Sequence, residues 1–292
     1  MKKILLFVFL FAGIGFSKTN AQQILNASFD NWSTDTAYFT GFNGFFPKDT
    51  FPYSDPVDWT STNALSGADT FGHFFFVTQS GNAHTGSSAI QLTTDTLKTV
   101  GTPLGPRKLT VPGLALNGRF PLNLGSNLLL GGIISPMAVP GAGQPFTKQL
   151  AAIKGYYNYT PVIKDTAGHF DSCMIWAILR KGTEEIAYAQ FVTDATTSGY
   201  AHFSADFTYV SCDMPDTLVI LLAASIPSFG SLVTGTTNLV RGSVLLVDDL
   251  DYDTIPSNYN FTPIARPDAD TTNENTAKNI QVKANDDDCN NS

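Results

Sequence analysis

Glutamate is almost missing from this chain: Glu184, Glu185 and Glu274 are the only three, and aspartate supplies the remaining acids. Aspartate suits turns and cation ligands rather than helix surfaces, so the balance argues against a helical protein. Charge of either sign is also scarce, at 14% of residues, with Lys+Arg 17 against Asp+Glu 25. No basic patch exists to neutralise phosphates, which excludes nucleic acid as a partner. The four histidines, His73, His84, His169 and His202, lack metal-ligand spacing, and no Gly-x-Ser-x-Gly or Cys/His arrangement appears. Nucleophilic catalysis therefore has no support. Beyond the N-terminus no apolar run is long enough for a membrane span; Thr217 to Ser225 covers only nine residues.

Met1 to Ala21 has the form of a secretory signal: Lys2 and Lys3, the apolar run Ile4 to Phe11, then small residues before a mature start at Gln22. The protein is expected to be secreted or held on the outer cell surface. After the signal, strand patterns recur with turn punctuation and almost no helical period, which predicts an all-β, antiparallel sandwich. Ala201 to Tyr209 alternates, with Phe203, Ala205, Phe207 and Tyr209 inward and His202, Ser204, Asp206 and Thr208 outward. Residues 173–180 are apolar on both faces and predict a central strand, paired through Lys181–Glu184 with Ile186 to Val192; Leu218 to Ala224 is a second two-sided run. Ser88 to Leu92 and the tyrosine-rich Leu150 to Tyr159 predict further strands, whereas the Gly- and Pro-dense residues 95–147 predict long loops, with short strands near Leu128 to Ser135. Export permits disulfides, and Cys173 and Cys212 at strand edges are predicted to pair, leaving Cys289 without a partner.

Two segments at opposite ends of this region, Ile24 to Trp32 and Val244 to Tyr252, are predicted as strands lying side by side. Period-2 counting puts Val244, Leu246, Leu250 and Tyr252 on one apolar face of the second, with Asp248 in its middle. A carboxylate there must be protonated, tied up by hydrogen bonds or bound to a cation. Asp30 is the candidate co-ligand for one structural calcium, with Asp249 as fallback if the strand is bulged, and Asn26 or Ser28 as a further oxygen. Sugar binding would need aromatic faces flanked by polar groups. Trp32, Tyr53, Trp59 and Tyr157 are the candidates, with Tyr38, Phe42, Phe45, Phe46 and Tyr159 beside them; Trp59 also suits a core plug. Glycoside hydrolysis would need two carboxylates across a cleft. Asp30, Asp58, Asp165, Asp171, Asp206, Glu184 and Glu185 are available, none within a recognisable catalytic motif.

Six motifs occur in order: Asn-x-Ser-Phe-Asp-x-Trp (Asn26 to Trp32), Pro-x-x-Trp-x-x-x-Asn (Pro56, Trp59, Asn63), Thr-Gly-Ser-x-Ala-x-x-Leu (Thr85 to Leu92), Gly-x-Pro-Phe-Thr (Gly143 to Thr147), Gly-Tyr-Tyr-x-Tyr (Gly155 to Tyr159) and Gly-Ser-x-Leu-x-Val-Asp-Asp-Leu (Gly242 to Leu250). Together they resemble the putative carbohydrate metabolism domain of exported Gram-negative proteins. The two ends are similar to those of jelly-roll carbohydrate-binding modules, in which a structural calcium sits where the ends meet. The resemblance implies a jelly roll over residues 22–257. Residues 258–267 then form a linker, and residues 268–292 resemble the truncated start of a cadherin-like or immunoglobulin-like repeat, poorly ordered alone. The expected role is a non-catalytic module that binds a polysaccharide or glycan, or mediates adhesion, within a larger polypeptide. A structural spacer without glycan binding and a glycoside hydrolase are the alternatives.

Overall fold

The structure, a computed structural model, describes residues 22–39, 49–64, 74–102, 105–119, 141–226, 239–268, 279, 283 and 286–291. The signal segment, Phe42, Phe45, Phe46 and the strands expected near 128–135 lie outside the described residues, as does the side chain of Tyr38. Among the described residues the regular structure is sheet, with no α-helix and a short 3-10 turn at Cys289–Asn291. In chain order the strands are β1 (Trp32–Phe39), β2 (Asp49–Pro56), β3 (Trp59–Ser61), β4 (Val77–Ser80), β5 (Ala89–Thr93), β6 (Asp95–Thr102), β7 (Gly105–Val111), β8 (Leu114–Asn117), β9 (Gln144–Pro145), β10 (Leu150–Thr160), β11 (Cys173–Lys181), β12 (Glu184–Thr193), β13 (Ala201–Asp206), β14 (Thr208–Tyr209), β15 (Thr217–Ala223) and β16 (Val244–Thr254).

Two antiparallel sheets form the sandwich, one ordered β13-β10-β16-β5-β4 and the other β14-β12-β11-β15-β8-β3, with β9 added to β15. The chain crosses repeatedly between them, as a jelly roll requires. β11 and β15 are central, and their two-sided apolar sequences follow from burial on both faces. β13 keeps the alternation read from its sequence, with Phe203 and Ala205 buried and His202, Ser204 and Asp206 exposed. At Phe207 the chain changes sheets, so the expected single strand to Tyr209 is two short ones. Residues 95–147 hold more sheet than expected: β6 and β7 pair as a separate ribbon, and β8 and β9 join the larger sheet. Pro112-Gly113 joins β7 to β8, whereas Gly101, Gly105, Pro106 and Pro145 lie within strands. Trp59 plugs the core with no exposure, its ring 5.1 Å from Phe29.

The expected Cys173–Cys212 bridge does not form; Cys212 pairs with Cys289, with Cα atoms 5.1 Å apart, and Cys173 is a free buried thiol. Register explains the difference. Cys173 lies opposite Thr193, whereas Ser211, beside Cys212, bonds to Ile186. Ile186 and Thr193 are seven strand positions apart along β12, which separates those levels by roughly 20 Å, far beyond disulfide reach. Burial pushes the Cys173 thiol up to about 12, so it is inert at neutral pH. The C-terminal segment, expected to be poorly ordered, is anchored in its described part. Ile264 and Asp287 exchange backbone hydrogen bonds, Asn290 Nδ2 donates to the Phe261 carbonyl at 2.9 Å, and Phe261 packs edge-on to Tyr209.

Asn63 of the Pro-x-x-Trp-x-x-x-Asn motif belongs to a buried polar network that joins β2, β3 and β4. Its Nδ2 donates to the carbonyls of Ser54 and Val77, and its Oδ1 accepts from the Val77 amide at 2.9 Å. Asp55, fully buried beside it, accepts from Ser61 N at 3.0 Å, from Ser61 Oγ and from Asn63 Nδ2. Burial raises the Asp55 pKa to about 6, against the opposing pull of those donors. Because the folded value lies above the ordinary 3.8, the folded state holds its proton longer; stability is full below pH 3.8 and falls as pH rises through 6. That loss is about 3 kcal/mol by pH 7. Asp55→Asn is expected to remove it: urea unfolding at pH 4 and pH 7 should show the variant gaining about that much on the parent protein across the interval. An unchanged difference would show that Asp55 does not titrate in this window.

Candidate functional site

The segment Ile24 to Phe29, expected as a strand, is a pair of turns. Asn26 and Phe29 have positive φ (49° and 51°), and Phe29 N donates to the Asn26 carbonyl at 3.1 Å. Asparagine tolerates this backbone region through local side-chain bonding. Its Oδ1 accepts from Asn31 N at 3.2 Å, and its Nδ2 donates to the carbonyls of Asn31 and Val57. The two ends of the sandwich are neighbours as expected, since Leu250 N donates to the Ala27 carbonyl at 3.0 Å.

β16 is bulged at Asp249. Tyr156 pairs with Asp248 and Lys154 with Asp251, so Asp249 and Leu250 together face Gly155, and Asp249 takes φ 48°. A Cβ on Gly155 would lie 3.0 Å from the Phe203 ring and 3.2 Å from the Asp249 carbonyl, so glycine makes room for the bulge. The bulge also breaks the period-2 count. Leu250 joins Leu245 and Val247 in the core and Tyr252 packs against it, while Leu246 and Asp248 belong to the outer face.

Asp248 has no solvent exposure, and hydrogen bonds compensate it: Oδ2 accepts the amides of His84 (2.7 Å) and Thr85 (3.2 Å), and Oδ1 accepts the Asp249 amide (2.8 Å). Burial still holds its pKa above the ordinary value; the three amides oppose this and the Asp249 charge adds to it. Asp30 is held from the other side of the same turn. Its Oδ1 accepts from Ser87 N (2.7 Å), Ser87 Oγ (2.7 Å) and Ser88 N (3.0 Å), and the Ser87 amide leads in lowering its pKa. Gly86, with φ 69°, is required at the turn, because a Cβ would sit 2.5 Å from Asp30 Oδ2.

Of the four residues expected to hold calcium, Asp248, Asp249 and Asn26 have their side-chain oxygens on protein partners, and Asp30 has Oδ1 on three donors. Asp249 receives Thr85 Oγ1 at 2.8 Å and lies 2.7 Å from His84 Nδ1, and Asn26 braces Asn31. These donors occupy lone pairs that a cation would otherwise use, so the carboxylates are compensated here by the protein itself. Among the described residues no group of three or more acidic, histidine or cysteine side chains could hold a metal ion.

His84 stacks flat on Tyr156, with ring centroids 3.5 Å apart at 14°, and Tyr200 and His202 meet the pair edge-on at 5.6 and 5.4 Å. Tyr200 is fixed by its hydroxyl, which donates to the Asn82 carbonyl at 2.6 Å. Beside this cluster lies a cleft of about 840 Å³, walled by the 23–28 segment and floored by Lys154, Tyr156, His202, Asp249 and Asp251, with Tyr252 at its edge. Lys154 Nζ bonds Asp253 at 2.5 Å and lies 3.5 Å from Asp251. The cleft thus combines aromatic edges with donors and acceptors already fixed in place.

Of the aromatic residues expected to bind a ligand, Trp59 and Tyr157 are core; Tyr157 packs 4.9 Å from Phe191. Trp32 and Tyr53 come together at a second, smaller pocket of about 300 Å³. The candidate acids for hydrolysis disperse. Asp171 is buried on Ser225 and Ser243, Asp165 caps a surface turn at His169, and Glu184 is exposed at the β11–β12 hairpin. His84, Tyr156, Tyr200 and His202 were not anticipated. Alternation from the buried Tyr157 and Tyr159 puts Tyr156 outward, and that phase was the available signal for it.

Solved structures with a similar fold include two described as putative glycoside hydrolases. The one from Bacteroides thetaiotaomicron is 19% identical, with a TM-score of 0.52, over 79% of this chain and 71% of that one. The one from Bacteroides vulgatus is 21% identical, with a TM-score of 0.50, over 78% of this chain and 97% of that one. At such identities the likeness concerns the fold. No curated protein matches the chain. The family model described as "Putative carbohydrate metabolism domain" matches residues 28–252, from the first turns through the bulged final strand, and the chain belongs to that family.

Proposed function

We propose that this domain of a carbohydrate-related family binds a glycan in the cleft beside the β16 bulge, without catalysis, as part of an exported or surface-displayed protein. The observation that carries the proposal is the braced lining: aromatic Tyr156 and His202 beside Asp249, Asp251 and Lys154, each charge already held by a neighbour. A sugar offers apolar C–H faces to rings and hydroxyls to carboxylates and ammonium, and a preorganised lining lowers the entropic cost of binding it. Hydrolysis would need a carboxylic acid kept protonated within the cleft. Asp248 is the carboxyl at this bulge whose pKa burial raises, and it is sealed beneath the 84–88 turn with no exposure.

The full chain is expected to bind on a glycan array, with Tyr156→Ala and His202→Ala each weakening binding roughly tenfold or more. Turnover of an aryl glycoside that Asp249→Asn abolishes would replace this reading with hydrolysis, for which the two Bacteroides relatives are named.

A further inference from the structure

We propose that the pocket between the β1–β2 hairpin and β4 is a second carbohydrate subsite, which holds one uncharged pyranose against the Trp32 indole; this rests on the glycan-binding reading above. Trp32 is half-buried, and its Nε1 donates to the Phe29 carbonyl at 2.7 Å. Ser88 Oγ donates to the same carbonyl at 2.9 Å. With its N–H already engaged and its plane held, the indole offers a face rather than a hydrogen bond. Stacking on the C–H side of a sugar ring requires that arrangement.

The remaining lining suits the same ligand. Tyr53, Pro52 and Phe75 supply apolar walls, while Thr34 and Gln79 bring polar groups to the rim. Gln79 is exposed, yet its Nε2 donates to Ser88 Oγ at 2.9 Å, so the amide is anchored to the residue that braces the tryptophan's carbonyl partner. A volume of about 300 Å³ lies at the lower end of ligand pockets and suits one ring rather than a chain. Asp35 stands opposite Tyr53 in the β1–β2 register and Asp55 is buried two residues further on, while Arg119 lies 3.7 Å from Asp35 and bonds Ser33 Oγ at 2.6 Å; the cation is thus already engaged by Asp35, and neither sign of charge is left in excess to select an ionic sugar.

The two depressions share one support. Within the 84–88 turn, His84 and Thr85 hold Asp248 and Asp249 on the cleft side, while Ser87 and Ser88 hold Asp30 and the Phe29 carbonyl on the Trp32 side. A saccharide long enough to occupy both would gain by effective concentration what neither site supplies alone. The ligand class that follows is a neutral polysaccharide rather than a free monosaccharide.

Affinity electrophoresis of the full chain in gels containing mixed-linkage β-glucan, xylan or galactomannan tests this. The polymer that retards the parent protein is expected to bind Trp32→Ala roughly tenfold more weakly and Gln79→Ala several-fold more weakly, with the residual binding lost when Tyr156→Ala is added. Should Trp32→Ala fail to fold, the exposed Gln79→Ala decides alone. Parent-like binding by the pocket variants, with loss only in Tyr156→Ala, would overturn the second subsite and leave the cleft reading standing. Failure of the parent protein to bind any of the three polymers, and of an array, would overturn both.

Discussion

Chelation of divalent cations is expected to leave the melting temperature unchanged, whereas Asp248→Ala lowers stability by about 2–6 kcal/mol, because two buried amides lose their acceptor at about 1–3 kcal/mol each. The carboxylate accepts the His84 and Thr85 amides and has no exposure, so truncation strands both donors where water reaches them poorly. It also frees the 84–88 turn from β16. The stacked His84–Tyr156 pair would loosen with it, so the variant should lose glycan affinity as well as stability. For a domain of this size the thermal shift is roughly 4–24 °C. Differential scanning fluorimetry with and without EDTA, on both proteins, separates the mechanisms. A chelator-induced fall in the parent protein that is absent in Asp248→Ala would return a shared cation to this site.

That contrast shows where the sequence was informative. A buried carboxylate between apolar neighbours demands compensation, and Asp248 is indeed buried beside Asp249. The demand does not specify its answer. Amides from a turn 163 or 164 residues distant supply it, and no local pattern announces such a pairing. Long, regular strands were readable for the converse reason: β10, β11, β13 and β15 carry their facing in side-chain alternation or in two-sided apolarity. The period count failed at β16 because one residue in the left-handed region shifts the phase, and aspartate there gives a weaker signal than glycine would. The Ile24 to Phe29 segment misled for a related reason. Its apolar residues Ile24 and Phe29 are buried from turns rather than from a strand, because Asn26 and Phe29 itself take positive φ.

The candidate site was legible only in halves. Asn26 and Asp249 were singled out as ligands of a cation and instead line the cleft, whereas its aromatic members come from strand positions that alternation marks only as outward. Position on a face is a sequence property; convergence of His84, Tyr156, Tyr200 and His202 is a property of sheet order and of where the 80–88 loop crosses it.

Reduction of the Cys212–Cys289 bridge is expected to lower stability by about 4 kcal/mol, from the chain entropy released when a loop of this length is opened in the unfolded state. The sequence separation is 77 residues, and the loop takes in β15, β16 and the segment that returns to Tyr209. Among the described residues, surface contacts that help to hold this segment are the Ile264–Asp287 bridge, the Arg266–Asp287 ion pair and the Asn290–Phe261 hydrogen bonds, with Phe261 packed on Tyr209. Exposed ion pairs contribute about 0–1 kcal/mol, so the covalent link outweighs them and its loss should also release the segment from the sandwich. Non-reducing peptide mapping should recover Cys212 joined to Cys289, and Cys173 should resist thiol reagents until the protein is unfolded. Melting with and without dithiothreitol should then differ by roughly 8–15 °C. A Cys173–Cys212 peptide, or a rapidly reactive Cys173 in the folded protein, would contradict the register that sets those two residues seven strand positions apart.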